Sequence, residues 1–319
     1  MNARKLFVIV MLLGLAISVI ACGTPVAVTP AAAPPPTVAV QPTTAPVAVL
    51  DVRAALDKYL SGLPDGFSLI QPAAVKDQMA ATKVFVVDVR EAADMANGFI
   101  EGSVNIPVRT VMKNLDKLPA KDQPIIITCA SGHRGAFTMA ALQMLGYTNV
   151  KSMAGGVNAW KTANLPLVKT GAPVAPMAGM APTVDKDMLA AFDKWFGGLP
   201  EGFSTVAPAA AKDQMVATKV TVIDLREVSE IAANGYIENS VNIPIRSLLK
   251  SEKLPTDKAT TIVVTCASGH RGSIAMMTLQ MLGYTNVKSM AGGVNAWKAA
   301  NLPLVGGPAA FDRAVRPIL

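Results

Sequence analysis

The chain has 319 residues, 51% of them hydrophobic, and a formal net charge of +7, which allows about two domains with sizeable cores. Without Arg4 and Lys5 the excess of 29 basic over 22 acidic residues falls to +5, a balance that leans slightly towards small anions or an anionic membrane surface. No dense basic run occurs, which argues against nucleic acid as a partner.

Arg4 and Lys5 precede an uncharged, largely apolar stretch from Leu6 to Ile20. That is the layout of a bacterial secretory signal, and it is short for a membrane span of about 20 residues. It runs into Val19-Ile20-Ala21-Cys22-Gly23, which resembles the lipobox of bacterial lipoproteins. The resemblance implies a signal peptide at 1–21, acyl chains on Cys22, and a membrane-anchored protein outside the cytoplasm. The other reading is an uncleaved anchor with an incidental cysteine. Residues 22–48 are rich in Pro, Ala, Val and Thr and carry no charge, so an extended tether is expected there.

The rest of the chain is a duplication. Leu142 to Lys161 is identical to Leu279 to Lys298, and one extra residue lies between Asp224 and Gly235 of the second copy. A period this long means two whole domains rather than a solenoid. They are placed at 49–169 and 184–305, with a linker at 170–183 and a tail at 306–319.

In the first copy, Val84 to Val87 reads as a buried strand ending at Asp88, and Arg90 to Asn97 as a short helix closed by Gly98. Ser103 to Ile106 is a brief strand stopped by Pro107, and Ile125 to Thr128 is another strand. A helix is expected from Gly135 to Leu145, with Phe137, Ala140, Ala141, Met144 and Leu145 on one face. Val150 to Met153 and Gly156 to Ala163 give a last strand and a last helix. The alternation predicts an α/β fold of two tandem domains, each a mainly parallel sheet flanked by helices, with sites beyond the C-terminal strand ends.

One such end holds the segment Cys129-Ala130-Ser131-Gly132-His133-Arg134, repeated letter for letter as Cys266-Ala267-Ser268-Gly269-His270-Arg271. The two segments contain both histidines of the chain and two of its three cysteines. A cysteine between a strand and a helix N-terminus faces backbone N–H groups that stabilise a thiolate. Small residues let the loop curl into an anion nest. Arg134 adds a fixed charge, and His133 adds one expected to switch near neutral pH.

Several motifs accompany each loop: Asp88-Val89-Arg90-Glu91, Gly98-Phe99-Ile100, Ser103-Val104-Asn105-Ile106-Pro107, and Gly155 to Trp160. The second copy answers with Asp224-Leu225-Arg226-Glu227, Gly235-Tyr236-Ile237, Ser240 to Pro244, and Gly292 to Trp297. In this order the pattern resembles the rhodanese domain over about residues 51–168 and 187–305. The resemblance implies that Cys129 and Cys266 carry sulfane sulfur as a persulfide from an anionic donor such as thiosulfate to cyanide or a thiol. No metal or organic cofactor would be required. The amides of Ala130, Ser131, Gly132, His133 and Arg134, and of Ala267, Ser268, Gly269, His270 and Arg271, would cradle the substrate. Arg90 and Arg226 either line the same mouth or pair with loop acids, the pairing being favoured.

The family often has His where Phe99 and Tyr236 stand, and a basic or polar residue in place of Ala130 and Ala267, which leaves donor preference open. The Cys-x4-Arg spacing is one residue shorter than the Cys-x5-Arg of related phosphatases, which favours sulfur over phosphorus. Further readings are a Cys129–Cys266 disulfide, a metal site at the His and Cys residues, and a non-catalytic persulfide carrier or sulfide-binding module that delivers sulfur to a partner protein.

Overall fold

The computed structural model describes residues 51–169 and 182–306. The expected signal, the tether with Cys22, most of the linker and the tail from 307 onwards lie outside these residues. Among the described residues no helix is long and apolar enough to cross a membrane. Both repeats belong to one compact unit, Val49–Leu319.

The first repeat runs α1 (Val52–Ser61), β1 (Leu69–Ile70), α2 (Pro72–Ala81), β2 (Phe85–Asp88), β3 (Val104–Asn105), β4 (Ile125–Thr128), α3 (His133–Met144), β5 (Val150–Met153) and α4 (Gly156–Thr162). The second runs α5 (Lys186–Gly197), β6 (Thr205–Val206), α6 (Pro208–Ala217), β7 (Thr221–Asp224), α7 (Val228–Asn234), β8 (Val241–Asn242), β9 (Ile262–Thr265), α8 (His270–Met281), β10 (Val287–Met290) and α9 (Gly293–Ala299). Each repeat forms a five-stranded sheet, in the orders β1-β5-β4-β2-β3 and β6-β10-β9-β7-β8. Every strand pairing is parallel, as the alternating pattern predicts.

Side-chain alternation along a strand divides the core into layers. On β4, Ile125 and Ile127 enter a large cluster, while Ile126 enters a small one with Ile70, Val86, Met153 and Trp160. The small cluster lies under α2 and α4 of its own repeat; its counterpart in the second repeat holds Val263, Met290 and Trp297. The large cluster joins both repeats, because it contains Leu56, Phe137, Phe192, Phe196 and Ile274 together.

That shared core comes from an exchange. α1 opens the first repeat but packs on the 3-10 segment Ile245–Lys250 of the second, and α5 packs on Val108–Lys113 of the first. Arg53 donates to Leu249 O at 2.8 Å, and Arg109 donates to Leu199 O and Pro200 O. Aromatic residues fill the seam: Phe192 and Phe196 of α5 are fully buried, and Phe196 meets Phe137 edge-on at 5.6 Å. Burying each such ring contributes about 2 kcal/mol.

Two local expectations change. α3 has no solvent face, because Arg134 to Leu142 are all buried; α3 lies against α8 across the seam, so the single apolar face expected for it extends around the helix. The helix expected from Arg90 to Asn97 is a 3-10 turn, Ala92–Asn97, and only the second repeat, with its extra residue, forms an α-helix there.

Candidate active site

Both cysteine loops sit at the C-terminal end of the middle strand of their sheet, between β4 and α3 and between β9 and α8. Gly132 adopts φ +87° and caps α3, and its N–H points back to Cys129 Sγ at 3.2 Å. Gly269 does the same for Cys266, also at 3.2 Å. The loop carbonyls are tied down from behind: Val157 N–H donates to Cys129 O at 2.7 Å and Asn158 N–H to Ala130 O at 2.9 Å. This approach requires Gly156, where a Cβ would lie 2.2 Å from Cys129 O. Each sulfur thus lies beside a backbone amide at the start of a 12-residue helix, at the positive end of its dipole.

Cys129 and Cys266 are each 1% exposed, and neither is in a disulfide, so the disulfide reading is set aside. Ser131 and Ser268 are exposed on the outer side of the loops, and Ala130 and Ala267 are half-buried. Arg134 and Arg271 are buried and lie against aromatic rings of the opposite repeat, Arg134 over Phe203 and Arg271 over Phe67, each at 4.6 Å. Each site is therefore walled in part by the other half of the chain.

The histidines serve this wall. His133 Nε2 donates to Phe203 O and His270 Nε2 to Phe67 O, both at 2.8 Å. Because the acceptors are carbonyls, each neutral ring carries its proton on Nε2. Burial pushes both residues down to about 4, against the backbone bond and with help from the adjacent arginine. The expectation of a charge that switches near neutral pH is thus corrected: both rings are neutral there, and they lock the repeats together. Their Nδ1 atoms differ. His133 Nδ1 lies 2.6 Å from Ser273 Oγ, whereas His270 Nδ1 is buried with no partner among the described residues.

Arg90 and Arg226 do not serve the mouth either. Arg90 is 4% exposed and grips Asp88, with Nη2 at 2.6 Å from Oδ2, while also donating to Gly98 O. Arg226 repeats this with Asp224 and Gly235 O. Each pair staples the end of its strand to the following turn, so the favoured pairing holds and the mouth-lining role is withdrawn.

Three participants were not visible from sequence reasoning. Phe67 and Phe203 belong to Gly62-Leu63-Pro64-Asp65-Gly66-Phe67-Ser68 and Gly198-Leu199-Pro200-Glu201-Gly202-Phe203-Ser204, a repeat conserved between the halves save for one acid. Phe67, Ser68, Phe203 and Ser204 hold φ between 52° and 55°, a left-handed backbone that costs about 1–3 kcal/mol per residue and gathers at functional sites. The duplication and its Gly-Phe pair were the available signal. The third is Glu230, whose two oxygens take Arg271 Nη1 and Nη2 at 2.6 Å each.

Comparison with known proteins agrees with this geometry. The family model described as rhodanese-like domain matches residues 71–163 and 207–300. The chain belongs to the rhodanese-like domain family. A sulfurtransferase of Allochromatium vinosum is 32% identical over 100 residues, covering 31% of this chain and 92% of that protein. A thiosulfate sulfurtransferase of Azotobacter vinelandii is 25% identical over 268 residues, covering 72% of this chain and 93% of its own. A solved rhodanese-related protein from Thermoplasma volcanium is 30% identical over 32% of this chain and 97% of its own, with a TM-score of 0.30. Two rhodanese-like domains in tandem, together with sulfurtransferase relatives, support a sulfurtransferase role for this chain.

Proposed function

We propose that this rhodanese pair transfers sulfane sulfur through a persulfide formed in turn on Cys129 and on Cys266. The carrying observation is the amide-capped, helix-facing sulfur found identically in both loops. With thiosulfate as donor, the cysteine thiolate attacks the outer sulfur. The S–S bond of thiosulfate breaks, sulfite leaves with the electron pair, and a Cys–S–S⁻ persulfide remains. Cyanide or a thiolate then attacks the terminal sulfur and the cysteine thiolate departs; with cyanide the product is thiocyanate. Backbone amides of the loop stabilise the persulfide charge, and Arg134 and Arg271 add a fixed positive charge at the end of each loop. The residues assigned to this chemistry come from the protein alone.

The test is thiocyanate formation from thiosulfate and cyanide by the fragment from residue 49 onwards. Cys129→Ser and Cys266→Ser should each leave part of the activity, and the double variant none. Persulfide detectable on a cysteine without turnover would replace this reading with that of a carrier that hands sulfur to a partner protein.

The same proposal places the protein outside the cytoplasm on a lipid anchor at Cys22, supported by the Arg4-Lys5 start, the apolar stretch and the Val19 to Cys22 motif. A Cys22→Ser protein that still takes up acyl label would sink the anchor.

A further inference from the structure

The two cysteine loops are identical in sequence, but the arginines they end in are held differently. In the second site Glu230 takes both terminal nitrogens of Arg271 at 2.6 Å, and its Oε2 also accepts from Glu227 N–H to cap α7. Burial alone would raise the Glu230 carboxyl, but the Arg271 bonds and the Glu227 amide hold it below the ordinary range. In the first site the aligned residue is Asp94, one methylene shorter and carried on a 3-10 turn. Among the described residues, the ion pair of Arg134 is the single contact of its Nη2 with Asp94 Oδ2 at 3.9 Å. A bidentate pair with good geometry is among the strongest of polar contacts, and a lone 3.9 Å contact at a half-exposed carboxylate is weak. The second repeat has one extra residue in this segment, and there the segment is the helix α7 with Glu230 in its first turn.

We infer that Glu230 is a positioning residue that sets donor specificity, keeping Arg271 from anionic donors, so that the Cys129 site is the one that captures them. This rests on the sulfur-transfer reading. At the first site Arg134 offers its terminal N–H groups to an incoming dianion without first giving up a carboxylate. At the second the anion must displace Glu230 or bind beside its negative charge, which leaves that site suited to donors of lower charge.

The test uses the two single-cysteine proteins. The Cys266→Ser protein, with only the first site, should show a KM for thiosulfate about five- to tenfold below that of the Cys129→Ser protein. Adding Glu230→Gln to Cys129→Ser should lower the KM towards that of the first site and leave kcat nearly unchanged. Glutamine keeps an oxygen for the Glu227 amide, and thermal melting of the variant verifies that α7 survives. Equal KM values in the two single-cysteine proteins, or a Glu230→Gln variant whose KM rises or whose kcat falls instead, would overturn the inference. Protection of the remaining cysteine from iodoacetamide by thiosulfate is read in parallel. Absence of turnover in both proteins would then strike the transfer reading, while the ratio of protection constants still judges Glu230.

Discussion

The unpartnered Nδ1 of His270 gives a sharp prediction for Ala136→Ser. His270 donates from Nε2 to Phe67 O, so its Nδ1 is a bare acceptor, buried and unsatisfied. In the other half the equivalent atom of His133 faces Ser273 Oγ at 2.6 Å, and Ser273 also contacts Gly269 O at 2.8 Å. Ala136 occupies the Ser273 position of the first repeat and is fully buried. A hydroxyl there should reach His270 Nδ1 and Gly132 O in the same way. Relieving an unsatisfied buried acceptor contributes about 1–3 kcal/mol, reduced by the cost of burying the hydroxyl itself, for a net gain of about 1 kcal/mol. For a unit of this size that raises Tm by about 2 °C. Ser273→Ala should lower it by a similar amount or somewhat more. Differential scanning calorimetry of both variants at pH 7 reads the pair. A Tm for Ala136→Ser at or below the parent, with Ser273→Ala destabilising as expected, would refute the equivalence of the two positions.

Stability should fall on acidification from about pH 6.5 towards 4. Both histidines are held to about 4 in the folded protein against an ordinary 6.5. The unfolded chain therefore binds more protons throughout that window, and each ring removes up to about 1.4 kcal/mol per pH unit. Urea melts across the range measure this, and a flat profile would contradict neutral buried rings. Asp224→Ala strands the Arg226 guanidinium, 2% exposed, and should cost about 3–5 kcal/mol in the same assay. Gly156→Ala drives a Cβ into Cys129 O and should abolish first-site activity, whereas Gly102→Ala, with open space around it, should cost only about 1 kcal/mol. Phe203→Ala should impair the Cys129 site and spare the Cys266 site, and Phe67→Ala the reverse, read as thiocyanate formation in single-cysteine proteins.

The parallel sheets were legible because each central strand is a short apolar run ending in a polar residue, as in Val86-Val87-Asp88 and Ile126-Ile127-Thr128. The place of the cysteine loop at the end of a strand was legible because the duplication repeats it without a change. The exchange of α1 and α5 was not, since an apolar helix face shows that something covers it but not which half of the chain does. For the same reason the histidines were misjudged: their neighbours in sequence are a glycine and an arginine, but what keeps them neutral is burial against the opposite repeat, where His133 meets Phe203 O and Ser273 Oγ, 70 and 140 residues away. The role of Arg90 could be read only as a choice, because Asp88 two residues earlier and a substrate anion would make equally good partners. Burial of the pair decided between them.

These placements locate where the duplicated halves have diverged. Cysteine, loop amides, capping glycine and terminal arginine are the same in both, down to the 3.2 Å amide contact on each sulfur. The differences stand one layer behind them: Glu230 against Asp94 behind the arginine, and Ala136 against Ser273 behind the histidines of the opposite halves. A change in the loop itself would disturb the amide contact on the sulfur. A change behind it alters the charge beside the loop, or the tightness of the seam, and leaves the cysteine loop intact. Because each wall is borrowed from the other repeat through Phe67 and Phe203, neither loop would keep its surroundings if the other repeat were cut away.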